Sequence, residues 1–98
     1  MSKLSKTQLK FLRSKAHKLK PVVMIGDKGL TENVLEEINN ALNHHELIKI
    51  RIRTEEREDK KSIIKAICDK CKAQEVQVIG HILALYRRSD DAKIILPK

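Results

Sequence analysis

The sequence predicts an α/β fold, in which helices pack on a mixed β-sheet, and three observations support this prediction. Segments with the apolar spacing of helices alternate with short apolar runs that have the length of strands. The stretch LIKIRIR, residues 47–53, alternates apolar and basic side chains, as a strand with one buried face does. The chain has 98 residues, the usual size of one domain, so we expect a single domain over residues 1–98.

The first helix is predicted to follow Ser5 and to continue to about Leu19. Ser5-Lys6-Thr7-Gln8 has the form of a capping box, and Pro21 disfavours a helical conformation at the residue before it. One face of this helix has an apolar stripe, formed by Leu9, Leu12, Ala16 and Leu19. A neighbouring stripe is basic and comprises Lys6, Lys10, Arg13, His17 and Lys20.

The remaining elements follow in the order βαβαββ. Residues 22–25 are all apolar, which predicts a strand buried on both faces. A second helix is expected from the N-cap Thr31. The helical spacing predicts its core face as Val34, Leu35, Ile38, Ala41 and Leu42, and that of a third helix as Ile63, Ile64, Ile67 and Cys71. VQVIG and HILALYR are predicted as two strands that meet at Gly80, and KIILP as a short final edge strand. Parallel pairs joined by helices and an antiparallel last pair give a four-stranded mixed sheet, and KIILP would be an additional strand at its edge.

Positive charge is concentrated at the start of the chain. The formal net charge is +8, and residues 1–26 contribute +7 because they include seven bases and no acid. The remaining 14 bases face 13 acids. Such an asymmetry favours a polyanionic partner, either nucleic acid or an anionic membrane, over a generally basic surface, which would usually spread its charge. The narrow apolar stripe and the absence of Trp fit a protein core better than a bilayer.

A loop with two glycines, Gly26-Asp27-Lys28-Gly29, lies where the first strand passes into the second helix. Glycines permit close approach of another backbone, and the start of a helix presents free amide groups to an anion. Lys28 adds a positive charge at the tip. The pattern therefore suits a phosphate, although an ordinary turn that needs two glycines has the same sequence. It matches neither a P-loop nor a dinucleotide fingerprint.

No enzymatic constellation can be assembled from these residues, and we expect no cofactor and no small-molecule substrate. Cys68 and Cys71 form a single CxxC, whereas a zinc site needs four ligands, for which His44 and His45 are the candidates. We interpret the two thiols as structural and reduced. Aromatic residues are limited to Phe11 and Tyr86, so a platform that stacks bases on aromatic rings is excluded. No apolar run is long enough to span a membrane, and no secretory signal is evident, so we expect a cytoplasmic protein.

Three segments of the chain closely resemble the YhbY-type stand-alone CRM domain of bacteria, where CRM denotes chloroplast RNA splicing and ribosome maturation. These segments are LSKTQLKFLRSKAHKLKPVVMIGDKGLTENVLEEINNALNHHELIKIRI, VQVIGHILALYR and the closing LPK. The resemblance extends from about Leu4 to Pro97. It implies an RNA-binding α/β fold similar to the C-terminal domain of translation initiation factor three. It also implies association with the rRNA of the precursor large ribosomal subunit, with ribosomal proteins as further partners.

The same resemblance assigns the family's GxxG loop to Gly26-Asp27-Lys28-Gly29. This chain carries Asp27 where many members have a base, and its own base is Lys28. We expect the loop and the basic stripe to bind the RNA backbone, and a basic strand face to extend this surface through Lys49, Arg51 and Arg53. His81 and Arg87 are weaker candidates. The alternative is a ribosome-assembly module that acts mainly through contacts with proteins.

Overall fold

The computed structural model describes residues 4–26, 28–54, 57–89 and 94–97. In chain order its elements are α1 (Lys6–Ala16), β1 (Pro21–Ile25), α2 (Glu32–His45), β2 (Leu47–Ile52), α3 (Arg57–Cys71), β3 (Gln74–Ile79) and β4 (Ile82–Tyr86). The predicted order, one helix followed by βαβαββ, is therefore confirmed. None of the helices in these described ranges is long and apolar enough to cross a membrane.

The four strands form one mixed sheet in the order β1-β2-β4-β3. β1 and β2 are parallel, as expected for strands that a helix connects, whereas β4 is antiparallel to both β2 and β3. Gly80 lies in the turn between β3 and β4 with φ of 57°, a conformation that favours glycine. The sheet thus has β2 and β4 at its centre and β1 and β3 at its edges.

The larger core lies between the sheet and the pair of helices α2 and α3. β2 contributes its three even-numbered residues, Ile48, Ile50 and Ile52, which are fully or almost fully buried. α2 contributes Ile38 and Leu42, and α3 contributes Ile64, Ile67 and Cys71. The helical spacing predicted these faces, and the structure confirms them.

α1 packs on the opposite side of the sheet, over one end only. Its Leu12 and Ala16 form a second apolar cluster with residues of the sheet, among them Leu47 and Tyr86. The predicted capping box is present, since Ser5 and Gln8 exchange side-chain and backbone hydrogen bonds at 3.0 and 3.2 Å. The helix ends at Ala16 rather than near Leu19, so Leu19 does not continue the apolar stripe and is 37% exposed.

The prediction that β1 is buried on both faces is wrong. Val23 and Ile25 are buried in the larger core, but Val22 and Met24 are 53% and 55% exposed. The physical reason is the placement of α1, which packs over the end of the sheet near Leu47 and leaves the outer side of β1 uncovered.

The predicted final edge strand does not form within residues 94–97. Ile94 and Leu96 pack instead against the cluster beneath α1. The carboxylate of Glu46, fully buried after α2, accepts hydrogen bonds from the amides of Ser89 and Ile94 at 3.2 and 3.1 Å. Because this carboxylate takes the Ile94 amide, the segment docks on the second cluster and does not extend the sheet.

Arg87 joins the C-terminal ends of α2 and α3. Its guanidinium donates to the side-chain and main-chain oxygens of Asn39 at 2.7 and 3.1 Å. It also donates to the Asn43 side chain at 2.9 Å and to the Cys71 carbonyl at 2.8 Å. Carbonyls at helix ends need such donors. The guanidinium is therefore committed to holding the two helices together, which removes Arg87 from the candidate RNA contacts.

Both thiols belong to the core side of α3. Cys71 is buried, and Cys68 is half-buried against the same core. Burial raises the pKa of both, and for Cys68 the carboxylates of Glu75 and Asp69 raise the pKa further. A thiol with a raised pKa is a poor nucleophile and a poor metal ligand near neutral pH, which agrees with a structural role.

We expect Arg87→Ala to lower the free energy of unfolding by about 2–3 kcal/mol, because the Cys71 carbonyl at the end of α3 and the oxygens of Asn39 and Asn43 lose a charged donor. Urea unfolding followed by circular dichroism measures this loss. Arg88→Ala is the matched control, since Arg88 is exposed and should change stability by less than about 0.5 kcal/mol. Equal effects of the two substitutions would contradict the structural role of Arg87.

We expect native Cys68 and Cys71 to react with iodoacetamide at pH 8 at least about tenfold more slowly than in urea-unfolded protein, because burial suppresses the thiolate. Mass spectrometry of the alkylated protein against time measures both rates. Rapid native alkylation of Cys71 would show that this thiol is not held in the core.

Candidate nucleic-acid interface

The loop of residues 26–29, hereafter the GxxG loop, connects β1 to α2. The Gly29 amide donates to the Gly26 carbonyl at 3.0 Å, which closes a tight turn. Gly29 has φ of 71°, where an L-residue with a side chain is strained. Lys28 is exposed at the tip, while Asp27 lies outside the described residues. The loop therefore presents a lysine on a turn whose shape depends on Gly29.

Gly26 has room beside it that the protein does not use. A β-carbon at this position would meet no atom of the described residues within 4 Å, and the φ of Gly26 is not positive. Packing among the described residues and backbone strain therefore do not account for the glycine. Its lack of a side chain leaves space in which a bound group could approach the backbone closely.

The N-terminus of α2 follows the loop directly. The Thr31 hydroxyl caps the helix by accepting a hydrogen bond from the Val34 amide at 3.2 Å. The amides of Glu32 and Asn33 have no acceptor within the helix, as at any helix start. These amides and the helix dipole favour an anion at this end of α2.

An open groove of about 740 Å³ lies beside the GxxG loop. Backbone hydrogen bonds bring its walls together, from Arg53 N to the Ile25 carbonyl at 2.9 Å and from Ile52 N to the His81 carbonyl at 2.7 Å. Its basic lining residues are Arg51, Arg53 and His81. Asp59 is the acidic residue that lines the groove within the described part of the chain. The groove therefore has a basic rim that reaches the loop.

The side of the sheet opposite α2 and α3 is uncovered where α1 does not reach. Register places Met24, Arg51, Ile82 and Ile79 in one row across the four strands. The row beside it contains Pro21, Lys49, Ala84 and Gln77. Ala84 is buried, since it belongs to the cluster beneath α1, so this row marks the border of the uncovered part. We call these two rows the open face. Neither row contains an acidic residue, and Arg51 belongs both to the open face and to the groove.

The basic stripe of α1 leads to this face. Its members on the helix and at the C-cap, Lys6, Lys10, Arg13 and His17, are all exposed. The Arg13 Nε atom donates to the Val76 carbonyl at 3.2 Å, which ties α1 to β3. His17 lines a shallow depression of about 140 Å³ together with Lys49 and four other residues of the open face.

Lys20 does not continue the stripe, so its predicted position is wrong. The helix ends at Ala16, and the angular spacing of a helix does not apply beyond that end. Lys20 lines a separate cavity of about 430 Å³ with Lys15 and Lys18. These three lysines form a second basic cluster near the start of β1.

The structure therefore places Gly26, Gly29, Arg51 and Arg53 around one groove, and His17 and Lys49 around a neighbouring depression. The basic strand face is open, since Arg51 and Arg53 are exposed and Lys49 is half-buried. His81, a weaker candidate from the sequence, lies at the groove. Within the described residues, no group of three or more His, Cys, Asp or Glu is arranged to hold a metal ion.

Sequence reasoning missed the hydroxyl groups of the groove and the apolar part of the open face. Thr54 and Ser62 line the groove, and no pattern in the sequence distinguishes them from other hydroxyl residues. Met24 was missed because β1 was expected to be buried on both faces. The sequence did contain a sign of this exposure. Basic residues alternate with apolar ones in β2, which indicates that the strands beside it have an exposed face on the same side.

Comparison with known proteins identifies a family and relatives named as RNA-binding proteins. Residues 4–87 match the family model described as the CRS1 / YhbY (CRM) domain. A Haemophilus influenzae protein named RNA-binding protein is 58% identical over 98 residues, which cover 100% of this chain and 99% of the relative. Bacillus subtilis YqeI, named a probable RNA-binding protein, is 38% identical over 92 residues, which cover 94% and 96% of the two chains.

A solved structure confirms the predicted fold. The solution structure of a hypothetical Staphylococcus aureus protein, described as a candidate RNA-binding protein, superimposes with a TM-score of 0.82. The match covers 97% of this chain and 100% of the other, at 34% sequence identity. Three helices and a four-stranded mixed sheet are therefore common to the two proteins.

Proposed function

This chain belongs to the CRS1 / YhbY (CRM) domain family, and on this premise we propose that it binds RNA through the sugar-phosphate backbone and assists assembly of the large ribosomal subunit. The relatives named above support the binding of RNA. The resemblance to bacterial YhbY-type proteins supports precursor large-subunit rRNA as the target. The proposal describes a cytoplasmic binding protein and not an enzyme.

One observation supports this function above the others, namely the continuity of the basic surface. From α1 the exposed stripe reaches His17, which shares a depression with Lys49 of the open face. In the next row, Arg51 shares the groove with the GxxG loop. A path of positive charge thus connects the first helix to the N-terminus of α2. An RNA strand is long enough to follow such a path, whereas a single small anion is not.

The chemistry of this path suits phosphate oxygens. Lysine and arginine side chains neutralise phosphates, and backbone amides at a helix N-terminus donate to their oxygens. A glycine loop permits the close approach that such donation requires. Contacts of this kind position RNA without reading its sequence. We therefore propose that the shape of the RNA, more than its sequence, determines where the protein binds.

The like-charged stripe on α1 adds a second argument. Basic residues three and four positions apart repel one another and destabilise an isolated helix by a few tenths of a kcal/mol per pair. A bound polyanion removes this repulsion, so that the helix becomes more favourable in the complex than in the free protein. A row of like charges on α1 is therefore expected if a bound polyanion neutralises it.

We expect Lys28→Glu to weaken binding of structured RNA at least about tenfold, with little change in melting temperature. Lys28 is exposed at the loop tip, so the substitution removes one charge-assisted contact, about 1.5–3 kcal/mol, and adds repulsion. Fluorescence anisotropy with a labelled rRNA fragment gives the affinity, and calorimetry gives the melting temperature.

Lys65→Glu is the matched control for charge, because Lys65 is exposed on α3 and lines a cavity away from the loop. It should change affinity by less than about threefold. With about four to six phosphates neutralised, the parent should show a log–log salt slope of about −3 to −5. Equal losses for the two variants would mean that net charge, and not the loop, determines binding. A slope near zero would contradict phosphate binding.

We expect the protein in cell extracts to sediment with precursors of the large ribosomal subunit and to crosslink to their rRNA. Sucrose gradients followed by sequencing of crosslinked RNA measure both. RNase treatment should release the protein, because RNA contacts hold it. Retention after complete RNA digestion would favour the alternative of a module held by ribosomal proteins.

A further inference from the structure

Two apolar side chains of the open face have no role in binding phosphates. Met24 and Ile79 are 55% and 59% exposed, and they stand at the two ends of one row. Arg51 and the half-buried Ile82 lie between them. A surface that served only to neutralise phosphates would have polar or basic residues at these positions. The row therefore offers apolar contact area beside a cation, which suits a ligand with apolar as well as anionic parts.

The dimensions of the row match a few flat groups rather than a protein. Four strands, each about 4.8 Å wide, cover roughly 19 Å across the sheet, and the two rows of the open face cover roughly 14 Å along the strands. The resulting area is about 270 Å², whereas a stable protein interface buries about 800 Å² on each partner. The open face alone is therefore too small for a typical protein partner.

Unpaired nucleotides combine the two chemistries that the row offers. Their bases are flat and apolar on both faces, and their phosphates are anionic. In other RNA-binding domains a four-stranded sheet stacks two or three bases on aromatic side chains. Here the aliphatic Met24 and Ile79 provide apolar contact area, and the planar guanidinium of Arg51 is of a kind that stacks on bases. Lys49 provides positive charge beside the row, and it shares the shallow depression there with His17.

We propose that the open face binds unpaired RNA bases, with Met24 and Ile79 against base faces and Arg51 stacked between them. The GxxG loop holds a phosphate of the same strand, since Arg51 also lines the groove beside that loop. This inference rests on the proposed function and deepens it. The preferred ligand is then an RNA junction between a paired and an unpaired segment. The loop contacts its backbone, and the sheet contacts its unpaired bases.

The decisive comparison uses two RNA probes, a labelled single-stranded oligoadenylate and a blunt RNA duplex of the same length. We expect Met24→Ser with Ile79→Ser to weaken oligoadenylate binding at least about tenfold, because apolar contact with bases is lost. Duplex affinity should change by less than about twofold, since its bases are not available to the sheet. Anisotropy titrations at one salt concentration measure both affinities.

Ile95→Ser is the control for the loss of an exposed aliphatic side chain. Ile95 is 86% exposed and lies on the C-terminal segment, outside both rows of the open face. It should leave the affinity for either probe unchanged. Circular dichroism of the double variant checks that the sheet is intact, which the exposure of both substituted side chains leads us to expect.

Ile79→Trp provides a test that does not depend on a loss of function. The chain has no tryptophan, so this substitution adds a single indole at the edge of the open face. We expect oligoadenylate to quench its fluorescence and to bind at least about threefold more tightly, because an indole stacks on bases better than isoleucine does. Duplex RNA should produce little quenching.

The outcomes separate this inference from the proposed function. If Lys28→Glu weakens RNA binding while the double variant binds oligoadenylate as the parent does and Ile79→Trp is not quenched, the sheet does not bind bases and phosphate binding stands. If the parent binds neither probe and also fails to bind the labelled rRNA fragment, the proposed function fails as well. If the double variant retains RNA affinity but loses a ribosomal protein in RNase-treated extract, the row contacts a protein and the inference is overturned.

Discussion

The alternation of apolar and basic side chains along β2 determines which face of the sheet is buried and which is open. Successive residues of a strand point to opposite faces, so three isoleucines enter the core while Lys49 and Arg51 emerge on the other side. Because β2 is a central strand, its neighbours β1 and β4 must present their own buried and open faces in the same sense. A shift of one residue in register would bury two cations, which is why the register is well determined.

The shortness of α1 and its anchoring to one end of the sheet leave the open face accessible. A backbone amide at Leu4 donates to the Gln74 side chain at 3.1 Å, and Arg13 holds the Val76 carbonyl. The C-terminal segment packs beside the same helix, where Gln8 donates to the Pro97 carbonyl at 3.1 Å. These contacts hold α1 over the second apolar cluster, so that the remaining sheet surface is available to a ligand.

Hydrogen bonds of Glu46 and Arg87 stabilise the fold at the end of the sheet that lies away from the GxxG loop. Glu46 is a buried carboxylate that gathers backbone amides, and its own carbonyl accepts from the Arg87 amide at 2.9 Å. Arg87 then joins two helix ends. A buried charge is stable only with such partners. Glu46 and Arg87 therefore hold the fold together, whereas Arg51 and Arg53 are exposed at the groove.

Sequence patterns alone predict the order of elements, the core faces of α2 and α3, the capping box at Ser5 and the turn at Gly29. These features follow from short-range rules, since helical spacing, strand alternation and the φ preferences of glycine act within a few residues. The basic residues of the interface were predicted for the same reason, because charge and loop composition are visible along the chain. The family resemblance added the type of ligand.

Long-range packing determines which of these residues share a surface. Met24 is exposed because α1 packs elsewhere, Lys20 leaves the stripe because the helix ends at Ala16, and Arg87 is occupied by α2 and α3. The outcomes for Met24 and Arg87 depend on partners distant in sequence, so no local pattern contains them. The docking of residues 94–97 depends in the same way on Glu46, whose carboxylate takes an amide that a local strand pattern would assign to a sheet.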